Sequence, residues 1–450
     1  MTTIIQQYAE YAALEANRDL SSETLHHAKR VVLDWFSALY PGMVSDVGSK
    51  IIATFDDEFG VGKSRIPSLN QTGFSSTAAW ILGTASHAIE FDDIFRDAVY
   101  HPGVPVISAA LAVADEYNRT GLEFLKAVVV GYEVSTRLGA AVQPSHYSFF
   151  HTTGTVGTIG SAAAAAFLID PENPDLFAHA VATATTFASG LQQAFRSDAM
   201  TKALHGGHAA SIGVTAAKSA AKGITGALDI LEGEVGFGAA LSKGANWDKA
   251  LAGLGKDYNI SKMTQKNHGC CGHTFAAIDG AITIRENMLN QGLLLSDVKD
   301  IHVSTYQAAL DVTGNFSPES AFECRFSLPY VVSHGFLHGS VRLNAFEEAQ
   351  RFAQQTRDLM QKLILENDEE LTSKFPNQRT AKVKITLNNG QLFEHFSPCR
   401  KGDPEAPLTD EDLDNKFFEL VDGVISFEQA KILRDQIWSL DQIDVHALKI

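Results

Sequence analysis

The chain has 450 residues, 45% of them hydrophobic and 20% charged, with a formal net charge of −17. That composition is globular, and the length suggests two cores rather than one. The acidic balance argues against nucleic acid as the main partner, because phosphate binding needs a basic face.

An anionic substrate would therefore need a local cluster of Lys, Arg and His. No stretch forms the unbroken apolar run of about 18 residues that a membrane span requires, so no membrane partner is expected. The opening MTTIIQQYAEYAALEANRDL lacks a basic region followed by an apolar one, so no signal peptide is expected and the expected location is the cytoplasm. Cys270, Cys271, Cys324 and Cys399 are too few for a disulfide framework, and an adjacent pair cannot easily bridge to itself. They read as reduced thiols.

From Glu23 to about Tyr40, the apolar positions Ala28, Val31, Val32, Leu33, Phe36 and Leu39 recur at helical intervals. The same spacing predicts helices over 77–90, 104–117, 121–141, 154–168, 174–190, 207–222 and 224–232. TVGTIGSAAAAAF suits a helix buried on most sides, since small residues let neighbouring backbones approach. After about residue 258 the texture changes. A helix at 274–291 precedes DIHVSTYQAAL, where Ile301, Val303 and Thr305 alternate as in a half-buried strand. AKVKITL, then Asn388-Asn389-Gly390, then QLFEHFS, predicts a β-hairpin over 381–397. LTDEDLDNKFFELVDGVISFEQAKILRDQIWSL is helical again. The expected division is a helical domain over 1–258, an α+β domain over 259–396, and a segment over 397–450 that rejoins the first.

Four segments carry chemistry. SHAIEFDDIFRDAVYHPGVPVISAALAVAD, 86–115, packs His87, Glu90, Asp92, Asp93, Arg96, Asp97 and His101 between apolar helices. Ionisable groups at such a junction are costly unless paired or used, although a solvated helix end with ion pairs would look the same. Asp and His ligating a metal is another reading, opposed by the absence of HExxH or paired CxxC spacings. SFFHTTGTVGTIG, 148–160, sets His151, Thr152 and Thr153 ahead of a helix whose N-terminus could hold a carboxylate. The plainer reading makes one threonine the N-cap and His151 a satisfied core residue. SDAMTKALHGGHAASIG, 197–213, spaces Lys202, His205 and His208 three apart, a plausible anion-binding and proton-transfer group if the helix begins that early. QKNHGCCGHTFAAIDG, 265–280, brings Lys266, His268, Cys270, Cys271 and His273 to a helix start. Zinc or thiol chemistry is conceivable there, but neither ligand spacing nor a thiol-enzyme signature accompanies it.

Taken in order, GTASHAIEFDD with HPG and SAALAVAD, FHTTGTVGTIGSAAAAA, TKALHGGHAA, K with GCCGHTFAAIDG, STYQAALDVTG, FSLPYVVSHGFLHG and CRKGDPEAPLTDEDLDNKF resemble the motif series of the MmgE/PrpD family from about residue 80 to 417. That family includes 2-methylcitrate dehydratases, cis-aconitate decarboxylases and iminodisuccinate epimerases. The resemblance implies a mainly α fold, with a large all-helical domain plus a smaller α+β lid domain, a homodimer, and a metal-free site in the cleft between the domains with no cofactor. It places the family's catalytic positions on Asp92, His101, His151, Lys202, Lys266 and Tyr306. His205, His273 and Thr152 are assigned to substrate binding. In cis-aconitate decarboxylases a further histidine helps form the site, and its nearest match here is Cys271, with His273 two places on, a departure that counts against cis-aconitate decarboxylation.

Dehydration, decarboxylation and epimerisation all build negative charge beside a carboxylate. Lys202 and Lys266 would hold the carboxylates of a small di- or tricarboxylate and stabilise that charge. His101 or His151 would move the proton, Asp92 would orient a histidine, and Tyr306 would protonate a leaving hydroxyl. The expected activity is a lyase of the 2-methylcitrate dehydratase type. Behind it stand an iminodisuccinate-like epimerase, an aconitate-like decarboxylase and, from another class, a non-catalytic carboxylate-binding protein.

Overall fold

The computed structural model describes residues 2–195, 199–375 and 377–450. Two compact units emerge, Met1–Gln265 with Thr409–Ile450, and Lys266–Leu408.

The first unit is mainly helical: α1 (Ile4–Asn17), α2 (Ser22–Met43), α3 (Asp46–Thr54), α4 (Ser75–His87), α5 (Gly103–Tyr117), α6 (Gly121–Val142), α7 (Thr152–Ile169), α8 (Pro174–Thr185) and α9 (Thr201–Ala220). At its centre α7 packs against α5, α6, α8 and α9 and is buried from Thr152 to Leu168. By length and hydropathy alone α7 could cross a membrane, yet 94% of its window is buried inside the fold, as for a core helix. Small residues permit the crowding. A Cβ on Gly83 of α4 would lie 2.8 Å from the Gly206 carbonyl oxygen and 2.9 Å from Gly207 Cα of α9, so those backbones touch with no side chain between them. The helices Asp410–Val421 and Phe427–Trp438 pack on α2.

Two expected helices are corrected in this unit, which also carries one small hairpin: β1 (Ser64–Ile66) and β2 (Gln71–Gly73) pair antiparallel, Ser64 facing Gly73. Ser64 Oγ donates to the Ala112 carbonyl, and Arg65 is bound through backbone and guanidinium to the buried Asp115, which ties the hairpin to α5. No helix forms over 224–232, because Gly223 adopts φ +89 and turns the chain out of α9. Gly226 then lies too close to Ala182 of α8 for a side chain. Finally, α4 ends at His87 rather than residue 90, since Glu90 takes the left-handed φ of 63°.

In the second unit a four-stranded sheet runs in the order β4 (Leu363–Asn367), β3 (Val298–Thr305), β5 (Ala381–Leu387), β6 (Leu392–Ser397). Only the β3–β4 pair is parallel. The β5–β6 hairpin turns through Gly390 at φ +88. Helix Phe275–Asn290 packs on β5 and β6 and also against helix Leu328–His338.

The unit boundaries fall after 265 and 408 instead of 258 and 396. Asn259–Gln265 is held in the first unit by the Ile94–Thr264 bridge and by the Ile260 N–H on Glu133. Arg400 and Lys401 stay with the second unit through the Gly272 carbonyl and the Asp279 carboxylate.

Candidate active site

In the first unit, α4 delivers His87 at its C-terminus, and the irregular segment that follows carries Asp92 and His101. Its turns need two non-glycine residues at positive φ, Glu90 at 63° and Val99 at 47°. The second is β-branched, and strain of that kind persists where packing over-determines the backbone, often at functional sites. A bridge between Phe95 and Tyr100 closes the loop and leaves His101 at the entry to α5.

One oxygen of Asp92, Oδ2, lies 2.8 Å from His87 Nδ1 and 2.7 Å from His101 Nδ1. Asp92 and His87 are fully buried, and His101 is slightly exposed. The other nitrogen of His87, Nε2, has no hydrogen-bond partner among the described residues. The His87 ring packs edge-on against His101 at 5.1 Å and stacks on His151 at 5.4 Å with planes 14° apart. His151 in turn sets its Nδ1 3.0 Å from His205 Nδ1. Four imidazoles therefore run in a row from His101 through His87 and His151 to His205. Burial pushes His151 well below the ordinary histidine range, helped by the nearby His87 and Lys202. His205 is lowered to about 4, chiefly by burial. Both are neutral bases at physiological pH.

α9 begins at Thr201, early enough to bring Lys202 and His205 to this side; Ser197 and Asp198 of that segment lie outside the described residues. Lys202 forms an ion pair with Glu90, a residue whose role the sequence reading did not assign. His208 turns aside to meet the edge of Trp80. Thr152 is fully buried, and its hydroxyl accepts from the Gln143 amide. The N-cap of α7 is His151, without a side-chain cap bond. Thr153 Oγ1 accepts the His101 backbone N–H at 3.3 Å.

Behind the cluster, Asp93 takes the Tyr132 hydroxyl at 2.7 Å and the Gly103 N–H at 3.0 Å, bracing the His-Pro-Gly turn. Its carboxyl is raised to about 7, mainly by burial.

The second unit holds a separate group. His273 Nδ1 bonds the Tyr306 hydroxyl at 2.8 Å, and the Tyr306 ring stacks on Phe375 at 4.8 Å. His273 is lowered to about 4 by burial and by Arg379 and Arg400, while burial raises Tyr306 to about 12. The neutral imidazole thus accepts and the phenol donates. Lys266 is buried, and His268 binds Asp279 at 2.9 Å. Cys270 bonds Thr274 and its thiol is pushed up to about 12 by burial, the opposite of an activated nucleophile.

His87, Asp92 and His101 have ligand atoms close enough together to hold a metal. Around a tetrahedral ion at about 2.0–2.1 Å, ligand atoms would stand roughly 3.3 Å apart. The observed 2.7 and 2.8 Å are shorter than that spacing.

A mainly helical unit with a buried row of histidines on one carboxylate, and an α+β unit with a histidine–tyrosine pair, define a two-unit class of protein whose side chains can transfer protons. The chain belongs to the MmgE/PrpD family. The MmgE/PrpD N-terminal domain matches residues 6–250 and the C-terminal domain residues 268–442. Among its relatives, the cis-aconitate decarboxylase of Homo sapiens is 27% identical over 94% of this chain and 89% of its own length. That of Mus musculus is 28% identical over 88% and 82%, and that of Aspergillus terreus 23% identical over 98% and 94%.

Proposed function

We propose that this protein is a lyase that removes a carboxyl group from a cis-aconitate-like tricarboxylate. Likeness to cis-aconitate decarboxylases along nearly the whole chain carries this reading. It reverses the order set from sequence, where a dehydratase stood first and Cys271, in place of a histidine, weighed against decarboxylation. The named relatives give the dehydratase no support. An imidazole two places on, at His273, is held on Tyr306, so the loop does supply a histidine.

In such an acid one carboxylate is β,γ to a carbon–carbon double bond. When its C–C bond breaks and carbon dioxide leaves, the electron pair shifts the double bond. Charge then appears beside a second carboxylate, and a proton must be added there. His101 is proposed to deliver that proton, with Asp92 orienting its ring and compensating its positive charge. His151 and His205, neutral and sharing a hydrogen bond, would relay protons. Lys202 is proposed to exchange its Glu90 partner for a substrate carboxylate, and cationic donors of this kind stabilise developing enolate charge. Lys266 is assigned a second carboxylate and Tyr306 a second proton donor, as the resemblance implies. The substrate is small and anionic, and the resemblance also implies a homodimer.

The test is release of labelled carbon dioxide from a panel of 13C-carboxylate di- and tricarboxylates. Release from the aconitate-like acid is expected. Loss of water without carbon dioxide would instead restore the dehydratase.

A further inference from the structure

Lys416 is fully buried, a position a lysine occupies only when its charge is matched. It belongs to helix Asp410–Val421, in the segment that returns to the first unit after the second is complete. Its Nζ lies 2.6 Å from Asp34 Oδ1 on α2, and also donates to the Phe91 backbone carbonyl at 3.0 Å. The ammonium sits 5.4 Å from the centroid of the Phe91 ring. Phe91 immediately precedes Asp92, so the bonded carbonyl belongs to the peptide that leads into the carboxylate shared by His87 and His101. The pair is not self-sufficient, for Asp34 Oδ2 has no hydrogen-bond partner among the described residues. Burial raises the Asp34 carboxyl, the nearby Asp92 adds to that, and Lys416 opposes both. A buried ion pair adds little stability over apolar residues of the same volume, so its value here lies in what it fixes.

We propose that Lys416, held by Asp34, is a positioning residue that pins the Phe91–Asp92 peptide and so aims the Asp92 carboxylate at His87 and His101. For its effect on turnover this rests on the functional reading above; for its geometry it does not.

The test uses the full-length chain labelled with 15N-histidine. Lys416→Met with Asp34→Leu removes both charges and the tether together. Lys416→Gln with Asp34→Asn keeps an uncharged donor for the Phe91 carbonyl. The first pair is expected to melt near the parent temperature, yet to shift the Nδ1 signals of His87 and His101 that the Asp92 carboxylate sets in the parent. Its kcat should fall roughly ten- to hundredfold through misplacement of the acid, with KM changed by no more than about twofold. The second pair should recover part of both the signals and kcat. Parent-like imidazole signals in the folded Met/Leu variant would overturn the proposal. So would equal losses in both pairs, which would mean the bond to Phe91 is irrelevant. If Met/Leu does not fold, parent-like signals and rate in Gln/Asn support the tether and their loss there overturns it. A parent protein inactive on every acid sinks the functional reading, and the imidazole signals then judge the tether alone.

Discussion

His151 and His205 share a single proton across the 3.0 Å between their Nδ1 atoms. A hydrogen bond between two ring nitrogens needs N–H on one and a lone pair on the other, so neither both-protonated nor both-bare Nδ1 satisfies it. Each ring is held neutral by burial, and each belongs to the row that ends at His101.

That requirement makes stability depend on pH. His146, His205, His273 and His334 are lowered to about 4 from an ordinary 6.5. The unfolded chain takes up their protons below 6.5, whereas the folded chain resists until about 4. The unfolded state therefore binds more protons in this window, and stability present above 6.5 is lost as pH falls toward 4. Asp93 and Glu133, raised to about 7, act in the opposite sense, and the four imidazoles outnumber them, so the melting temperature should decline from pH 6.5 to 4.5. With both carboxyls replaced by their amides the decline should steepen, and a profile still flat in that variant would show that these imidazoles are not held neutral.

Asp92→Asn keeps the shape but removes the negative charge that His87 and His101 share. If His101 is the acid, kcat should fall about 10²- to 10⁴-fold, the range for loss of a general acid or of its orienting carboxylate. KM should change far less. Steady-state kinetics on the aconitate-like acid would show this, and an unchanged kcat would remove Asp92 from the mechanism.

Tyr306→Phe deletes the donor to His273 while preserving the stack on Phe375. Stability should change by no more than about 1 kcal/mol, the net value of one such hydrogen bond. A marked fall in kcat without a fall in melting temperature would identify the phenol as a working group. Parallel loss of both would make it structural.

Gly83→Ala tests the packing that brings α9 to α4. The new methyl would meet the Gly206 carbonyl and Gly207 Cα at 2.8 and 2.9 Å. The backbones must part, at a cost of about 1–3 kcal/mol. Calorimetry should find a lower melting temperature, and because α9 carries Lys202 and His205, activity should fall as well.

The helical core was legible because its pattern is local. The Ala- and Gly-rich run at 154–168 and the Asn-Asn-Gly turn each encode their own conformation. The helix expected at 224–232 failed because Gly223 turns the chain at φ +89 and Gly226 then passes close to Ala182 of another helix, neither of which apolar spacing displays. The candidate residues Asp92, His101, His151, Lys202 and His205 stand out as ionisable groups between apolar helices. Their pairing does not, because Glu90 meets Lys202 from 112 positions away. Lys416 was hidden more thoroughly. In DLDNKFFELV it reads as one more charge on an amphipathic helix, and only the return of the chain to α2 shows that its partner is Asp34. Thr152 has a partner equally hidden in sequence, since its hydroxyl accepts from the amide of Gln143, nine positions earlier.

The central claim is tested most directly by incubating the protein with cis-aconitate in deuterated water and following carbon and deuterium by NMR, beside His101→Ala. The account predicts one carbon dioxide released per turnover and one solvent deuterium on carbon in the product, with the rate collapsing in the variant. Gain or loss of water with all carboxyl groups retained, deuterium exchange without release of carbon dioxide, or a variant as fast as the parent would contradict it.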